Sequence, residues 1–155
     1  MSTLSDLTNK ADYIASKNNH LKAQWSLYQN SLTQAVTHSN KKINHDFSCG
    51  EERGVCFTLF DYFSVSIYLS DDFYSQDIVY SLNMAHSNEV DDFKTFAHAT
   101  LSEEGLVDGS VDIKDKNAVL EHYLSKISAI YQCIFDSLKS NQPIHPQLEK
   151  LLGNA

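Results

Sequence analysis

His45, Cys49 and Cys56 are the first side chains in this sequence whose types could do chemistry, one imidazole and two thiols within a short stretch. Imidazole with thiolate is a zinc-competent donor set, and two neighbouring thiols can form a redox-sensitive cross-link. The spacing disfavours zinc, because structural sites bring cysteines about two to four residues apart and need a fourth ligand, here available only from distant His or Cys residues. Packing remains as the other reading, with Cys49 and Cys56 as small buried residues on paired strands, beside a cross-strand disulfide that forms on oxidation. Thiol catalysis would also need a base within hydrogen-bond reach and an oxyanion site, and neither is visible. The carboxylate pairs Glu51-Glu52, Asp71-Asp72, Asp91-Asp92 and Glu103-Glu104 fall at expected loops or strand ends, where both charges are solvated. A general acid needs a buried, perturbed carboxyl beside an ionised one. His122, between Glu121 and Tyr123 on an apolar helix, reads as a hydrogen-bonded structural imidazole. Five scattered glycines build no phosphate-cradling loop ahead of a helix. The expectation is a chain with no catalytic residue, metal site or cofactor, and not an enzyme.

Charge then narrows the partners. Twelve Lys+Arg against 20 Asp+Glu give a net charge of −8, and Arg53 is the only arginine. Up to Asp46 the chain carries Lys10, Lys17, Lys22, Lys41 and Lys42 against Asp6, Asp12 and Asp46, so all the net acidity lies beyond that point. Nucleic-acid affinity rests on clustered cations and base readout on arginine forks, so direct DNA binding is not expected. A basic surface on another protein is the natural complement. The start, Met-Ser-Thr-Leu-Ser-Asp, lacks a signal peptide's basic and apolar regions, and no run approaches the roughly 18 apolar residues of a membrane span. With three cysteines, which fit reduced thiols, this predicts a cytoplasmic protein that meets no membrane.

The elements that must position these residues follow from periodicity. At 155 residues and 42% hydrophobic content, the chain is expected to be one α+β domain spanning 1–155. A long helix over about 4–37 contains no Gly or Pro, with Thr3 and Asp6 as a capping pair. Leu7, Ala11, Ile14, Asn18, Leu21, Trp25, Tyr28, Leu32 and Ala35 recur along it at alternating steps of four and three, the seam of a coiled coil. Such a helix would be about 50 Å long, more than a body of this size can cover, so part of the seam should meet a second copy or a partner. Leu21, Trp25, Tyr28 and Leu32 are the expected protein-contact residues, and Asn18 a register-setting polar position. From about 43 to 113 the period changes to two, predicting an antiparallel sheet of 4–6 strands. Phe63, Val65, Ile67 and Leu69 alternate with polar residues, whereas Val55–Phe60 is apolar on both faces and suggests a central strand covered on each side. Gly50–Gly54, Ser70–Asp72, His86–Glu89 and Asp108-Gly109 carry turn residues. A second helix with a wide apolar stripe is expected over about 116–139, capped by Asp115 or Asn117. Beyond it, residues 143–155 hold Ile144, Leu148, Leu151 and Leu152, expected to form one loosely docked turn or to fray.

Four collinear blocks then resemble a known family. These are Ala11–Ala15, Gln24–Gln34, Ser48-Cys49 followed by Cys56–Phe60, and Val119–Ile127, and in this order and separation they are similar to the formate hydrogenlyase regulatory protein family, HycA. The resemblance implies a cytoplasmic bacterial regulator that lowers transcription of the hydrogenase and hydrogenase-maturation operons by opposing the formate-responsive transcriptional activator. It supplies no catalytic residue. The expected partner is that activator, with a homodimer through the N-terminal helix. Two other classes stay open: an acidic chaperone or adaptor for a protein client, and a redox sensor using Cys49 and Cys56.

Overall fold

The computed structural model describes residues 2–50, 54–85 and 90–153. The turns expected at Gly50–Gly54 and His86–Glu89 lie, at residues 51–53 and 86–89, outside the described residues. Helix α1 spans Thr3–Ile43, 41 residues and so about 60 Å. Its cap is Ser2 in place of Thr3, since the Ser2 hydroxyl oxygen accepts the Ser5 N–H at 3.1 Å. The helix runs past the expected end at Thr37 because Lys41 and Lys42 suit the negative end of its dipole. Asn44 stops it at φ 53°, in the left-handed region that asparagine tolerates, and its carbonyl accepts the Phe60 N–H at 2.9 Å.

Five strands follow: β1 (His45–Gly50), β2 (Gly54–Leu59), β3 (Phe63–Leu69), β4 (Asp77–Asn83) and β5 (Phe93–Thr100). They form one antiparallel sheet in the order β1-β2-β3-β4-β5. A small ribbon, β6 (Leu106–Val107) with β7 (Val111–Asp112), turns at Asp108-Gly109 as the Asp-Gly pair predicts, both residues having positive φ. Gly54 must be glycine, because a Cβ there would collide with the Ile67 carbonyl oxygen across the β2–β3 pair. One expectation is corrected. Val55, Phe57 and Leu59 are buried while Cys56 and Thr58 are only half-buried, so β2 faces the core on one side. The strand shut on both sides is β4, buried from Ile78 through Leu82. A bulge opposite Tyr80 and Ser81 shifts the β5 alternation and brings Phe96 within 6.3 Å of Tyr80.

Helix α2 (Lys116–Lys139) is capped by Asp115, whose carboxylate accepts the Ala118 N–H. Its wide stripe buries Val119, Tyr123, Ile127, Ile130 and Ile134. The tail is better ordered than expected. It forms α3 (Ile144–Gly153), with Leu148 and Leu152 buried and Pro146 in the first turn, where a missing N–H costs nothing.

Two buried polar contacts lock these layers together. Tyr28 of α1 and Tyr80 of β4 meet hydroxyl to hydroxyl at 2.7 Å, with no exposed surface on either ring. Around His45, fully enclosed at the start of β1, the proton positions follow from the partners. The Tyr131 hydroxyl donates to the Ile43 carbonyl at 2.6 Å, so His45 Nδ1–H donates to Tyr131 Oη at 3.3 Å. That leaves His45 Nε2 to accept from the Tyr123 hydroxyl at 2.7 Å. The imidazole is therefore neutral, and burial holds it down to about 4 from 6.5, against a smaller upward pull from Asp46.

Between pH 6.5 and 4 the unfolded chain takes up a proton at this histidine that the folded protein refuses. Stability is then complete above about pH 6.5 and falls by up to about 3 kcal/mol as pH drops to about 4. Urea unfolding across that range should show the decline, and His45→Phe should remove this part of it.

Candidate functional site

No residue set among those described has the geometry of a reaction centre. His45 spends both ring nitrogens on tyrosines, and no group of three His, Cys, Asp or Glu could hold a metal ion among the described residues. Cys49 and Cys56 are backbone partners across β1 and β2, as the hairpin reading expects. His122 Nε2–H donates to Asp108 Oδ2 at 2.7 Å, the bond expected of a structural imidazole, and Lys126 lies 3.5 Å from the same oxygen. Burial pushes the Asp108 carboxyl up, but His122, the Thr100 N–H and Lys126 outweigh it and hold it below its ordinary range. The pair ties the β6–β7 turn to α2. Ser125, one turn on, gives its hydroxyl proton to the His122 carbonyl at 2.6 Å, so no hydroxyl nucleophile is aimed at the ring.

An apolar groove of about 890 Å³ is the feature with the makings of a contact site. One wall is the β2–β3 turn. Leu59 accepts the Tyr62 N–H at 3.0 Å, closing a turn in which Phe60 and Asp61 both have φ 54°, a costly conformation for a ring-bearing residue. That turn sets Phe60 against Tyr131 at 5.3 Å and leaves Tyr62 exposed, edge-on to Phe63 at 4.8 Å. The floor is α2, where Tyr131, Phe135 and Leu138 follow at steps of four and three; Phe135 and Leu138 are exposed. The far wall is the joint into α3. Asn141, at φ 54°, donates its N–H to the Leu138 carbonyl at 3.3 Å, and Gln142 N–H reaches the Ser137 carbonyl at 2.8 Å. These two bonds make a Schellman stop with asparagine in the position glycine usually takes. Pro143 follows, and His145 Nε2–H on the Met84 carbonyl at 3.3 Å pins α3 beside the groove.

The contact residues expected from the α1 seam sit elsewhere. Leu21, Trp25, Tyr28 and Leu32 are all in the core, none more than 7% exposed. Trp25 stacks on Tyr28 at 5.6 Å, and α1 is held down nearby by the Gln24 side chain on the Glu103 carbonyl and Ser31 on the Ile113 carbonyl. At this burial the four residues pack as core and present little surface to a second protein. The seam is free only ahead of them. Residues 2–16 are all exposed, and Lys17, bonded to Glu103 at 2.7 Å, is the first strong tie to the body. Sequence reading missed the groove because its walls come from three separated segments. The exposed pair Phe135 and Leu138, at the polar end of an apolar stripe, was the signal available.

Comparison with known proteins agrees with the block resemblance. The family described as the transcriptional repressor of the hyc and hyp operons matches residues 2–150. Formate hydrogenlyase regulatory proteins HycA from Escherichia coli K12 and from Shigella flexneri are each 37% identical over 143 residues, 92% of this chain and 92% of each relative. No solved structure matches the chain.

The groove's far wall depends on a left-handed residue at 141. Replacing Asn141→Ala should cost about 1 kcal/mol in urea unfolding, whereas Asn141→Gly should be neutral or slightly stabilising.

Proposed function

The chain belongs to the HycA family of transcriptional repressors, regulators and not enzymes, and from that premise we propose that it represses by holding a protein, the formate-responsive transcriptional activator. DNA is left alone in this reading. The observation that carries it is the charge: −8 overall with a single arginine, a poor match to phosphate and a good one to a basic protein surface. The groove supplies the second support. Exposed Phe60, Tyr62, Phe135 and Leu138 gathered in one place are anchor types for a protein contact, and a contiguous apolar patch on a chain otherwise acidic calls for a partner. We place the activator's apolar segment there and the protein in the cytoplasm, where transcription factors work; among the described residues no helix is long and apolar enough to cross a membrane. The working unit in this reading is a homodimer joined through the N-terminal helix.

Purified chain should bind the activator and lower its promoter-dependent transcription in a reconstituted reaction. Phe135→Ala with Leu138→Ser should weaken that binding at least tenfold, roughly 1.4 kcal/mol, with unfolding little changed because both side chains are exposed. Tight, sequence-specific promoter binding by the chain alone would overturn the mechanism. Capture of an unfolded client with no affinity for the activator would favour the adaptor class instead.

A further inference from the structure

The exposed start of α1 carries an apolar stripe with nothing over it. Leu4, Leu7, Ala11 and Ile14 continue at steps of three, four and three the row that Leu21, Trp25, Tyr28 and Leu32 bury in the body. Yet Leu4 is 76%, Leu7 55% and Ile14 51% exposed. A single exposed helix of about 15 residues is marginal in water, so this arm gains from a cover. From Leu21 onward the body itself is the cover, which leaves a free length of stripe equal to the arm.

We propose that the cover is the same arm of a second copy, laid antiparallel, with Leu4 of each copy on Ile14 of the other and Leu7 on Ala11. This deepens the homodimer reading above and rests on it. Two observations select the second copy and its direction. First, the body occupies the stripe's face from Leu21, so a straight parallel helix lying on the arms would run into it, whereas an antiparallel one ends before reaching it. Second, each copy carries −8, of which Asp6, Lys10 and Asp12 contribute only −1 on the free arm. Antiparallel arms keep the two Leu21 positions roughly 35 Å apart at 1.5 Å per residue, several screening lengths of about 8 Å, while parallel arms set the acidic bodies side by side. The seat for the incoming Leu4 already exists. Tyr13, Ile14, Lys17, Phe73 and Tyr74 line a small apolar hollow of about 310 Å³ at the arm's base, and Phe73 stands 68% exposed beside it. The stripe's polar member, Asn18, then lies just outside the paired segment.

An interface of this size is small, so the dimer should be weak. Sedimentation equilibrium of the full chain from about 1 to about 200 µM should show a monomer–dimer equilibrium with a micromolar dissociation constant. Leu7→Asp and Ile14→Asp should each weaken it more than tenfold while circular dichroism in the body's unfolding transition and Trp25 emission stay unchanged. Direction is read by mixing variants. Leu7→Asp with Ala11→Lys should restore the dimer, and Leu7→Asp with Leu7→Lys should not. A monomer at every concentration, or a dimer indifferent to both Asp variants, overturns the arm contact and the homodimer reading together. Restoration by the Leu7→Asp and Leu7→Lys mixture overturns the antiparallel direction and leaves the homodimer standing; restoration by neither mixture overturns the register.

Discussion

Matching buried donors to buried acceptors is the constraint on which this structure depends. Tyr28, Tyr80, Tyr123 and His45 are fully buried polar side chains, and each polar group left without a partner would cost about 1–3 kcal/mol. They are matched to partners on other elements. Tyr28 must meet Tyr80, which seats α1 over β4, and His45 must sit between Tyr123 and Tyr131, which seats β1 under α2. Burial raises the Tyr28 and Tyr123 phenols well above their ordinary value and Tyr131 to about 12, so these hydroxyls keep their protons and remain donors. The apolar residues between them close the layer. The polar pairs fix how the layers are registered.

Two consequences for function follow from that seating. With the C-terminal half of α1 held on the sheet, the helix is longer than the body beneath it, and its first turns project with their apolar row bare. With α2 held by Tyr123 and Tyr131, its last turns extend beyond the sheet's cover, so Phe135 and Leu138 meet the β2–β3 turn across an open groove. Both surfaces are places where a regular apolar pattern outruns the layer that covers its other part. The strained Phe60 belongs to one of them. A positive φ on a phenylalanine is held by its neighbours, here the Asn44 carbonyl on its N–H and the Tyr131 ring on its side chain.

Much was legible in the residues themselves. The absence of Gly and Pro over Thr3–Ile43, the alternation at Phe63–Leu69, the Asp115 cap and the Asp108-Gly109 turn are local signals, set by backbone conformational preference and by which face of a single element is apolar. The collinear blocks pointing to the HycA family are likewise a property of the linear order, and so is the net acidity. The α1 seam was visible too, as one unbroken row.

Tertiary structure decided which part of that row is core. Periodicity shows that Leu7 and Leu32 lie on one face, but whether a face is covered depends on how far the sheet reaches, a fact of three-dimensional extent that no local pattern encodes. For the same reason β4, not β2, is the strand enclosed on both sides, since enclosure is set by neighbours distant in the chain. A short terminal segment with few apolar residues is expected to dock loosely or fray; packing of Leu148 and Leu152 supplied the stability that an isolated ten-residue helix lacks. Local sequence dictated the elements and their apolar faces. Long-range packing, which alone can bury a side chain or leave it bare, decided which of those faces are core and which stay exposed.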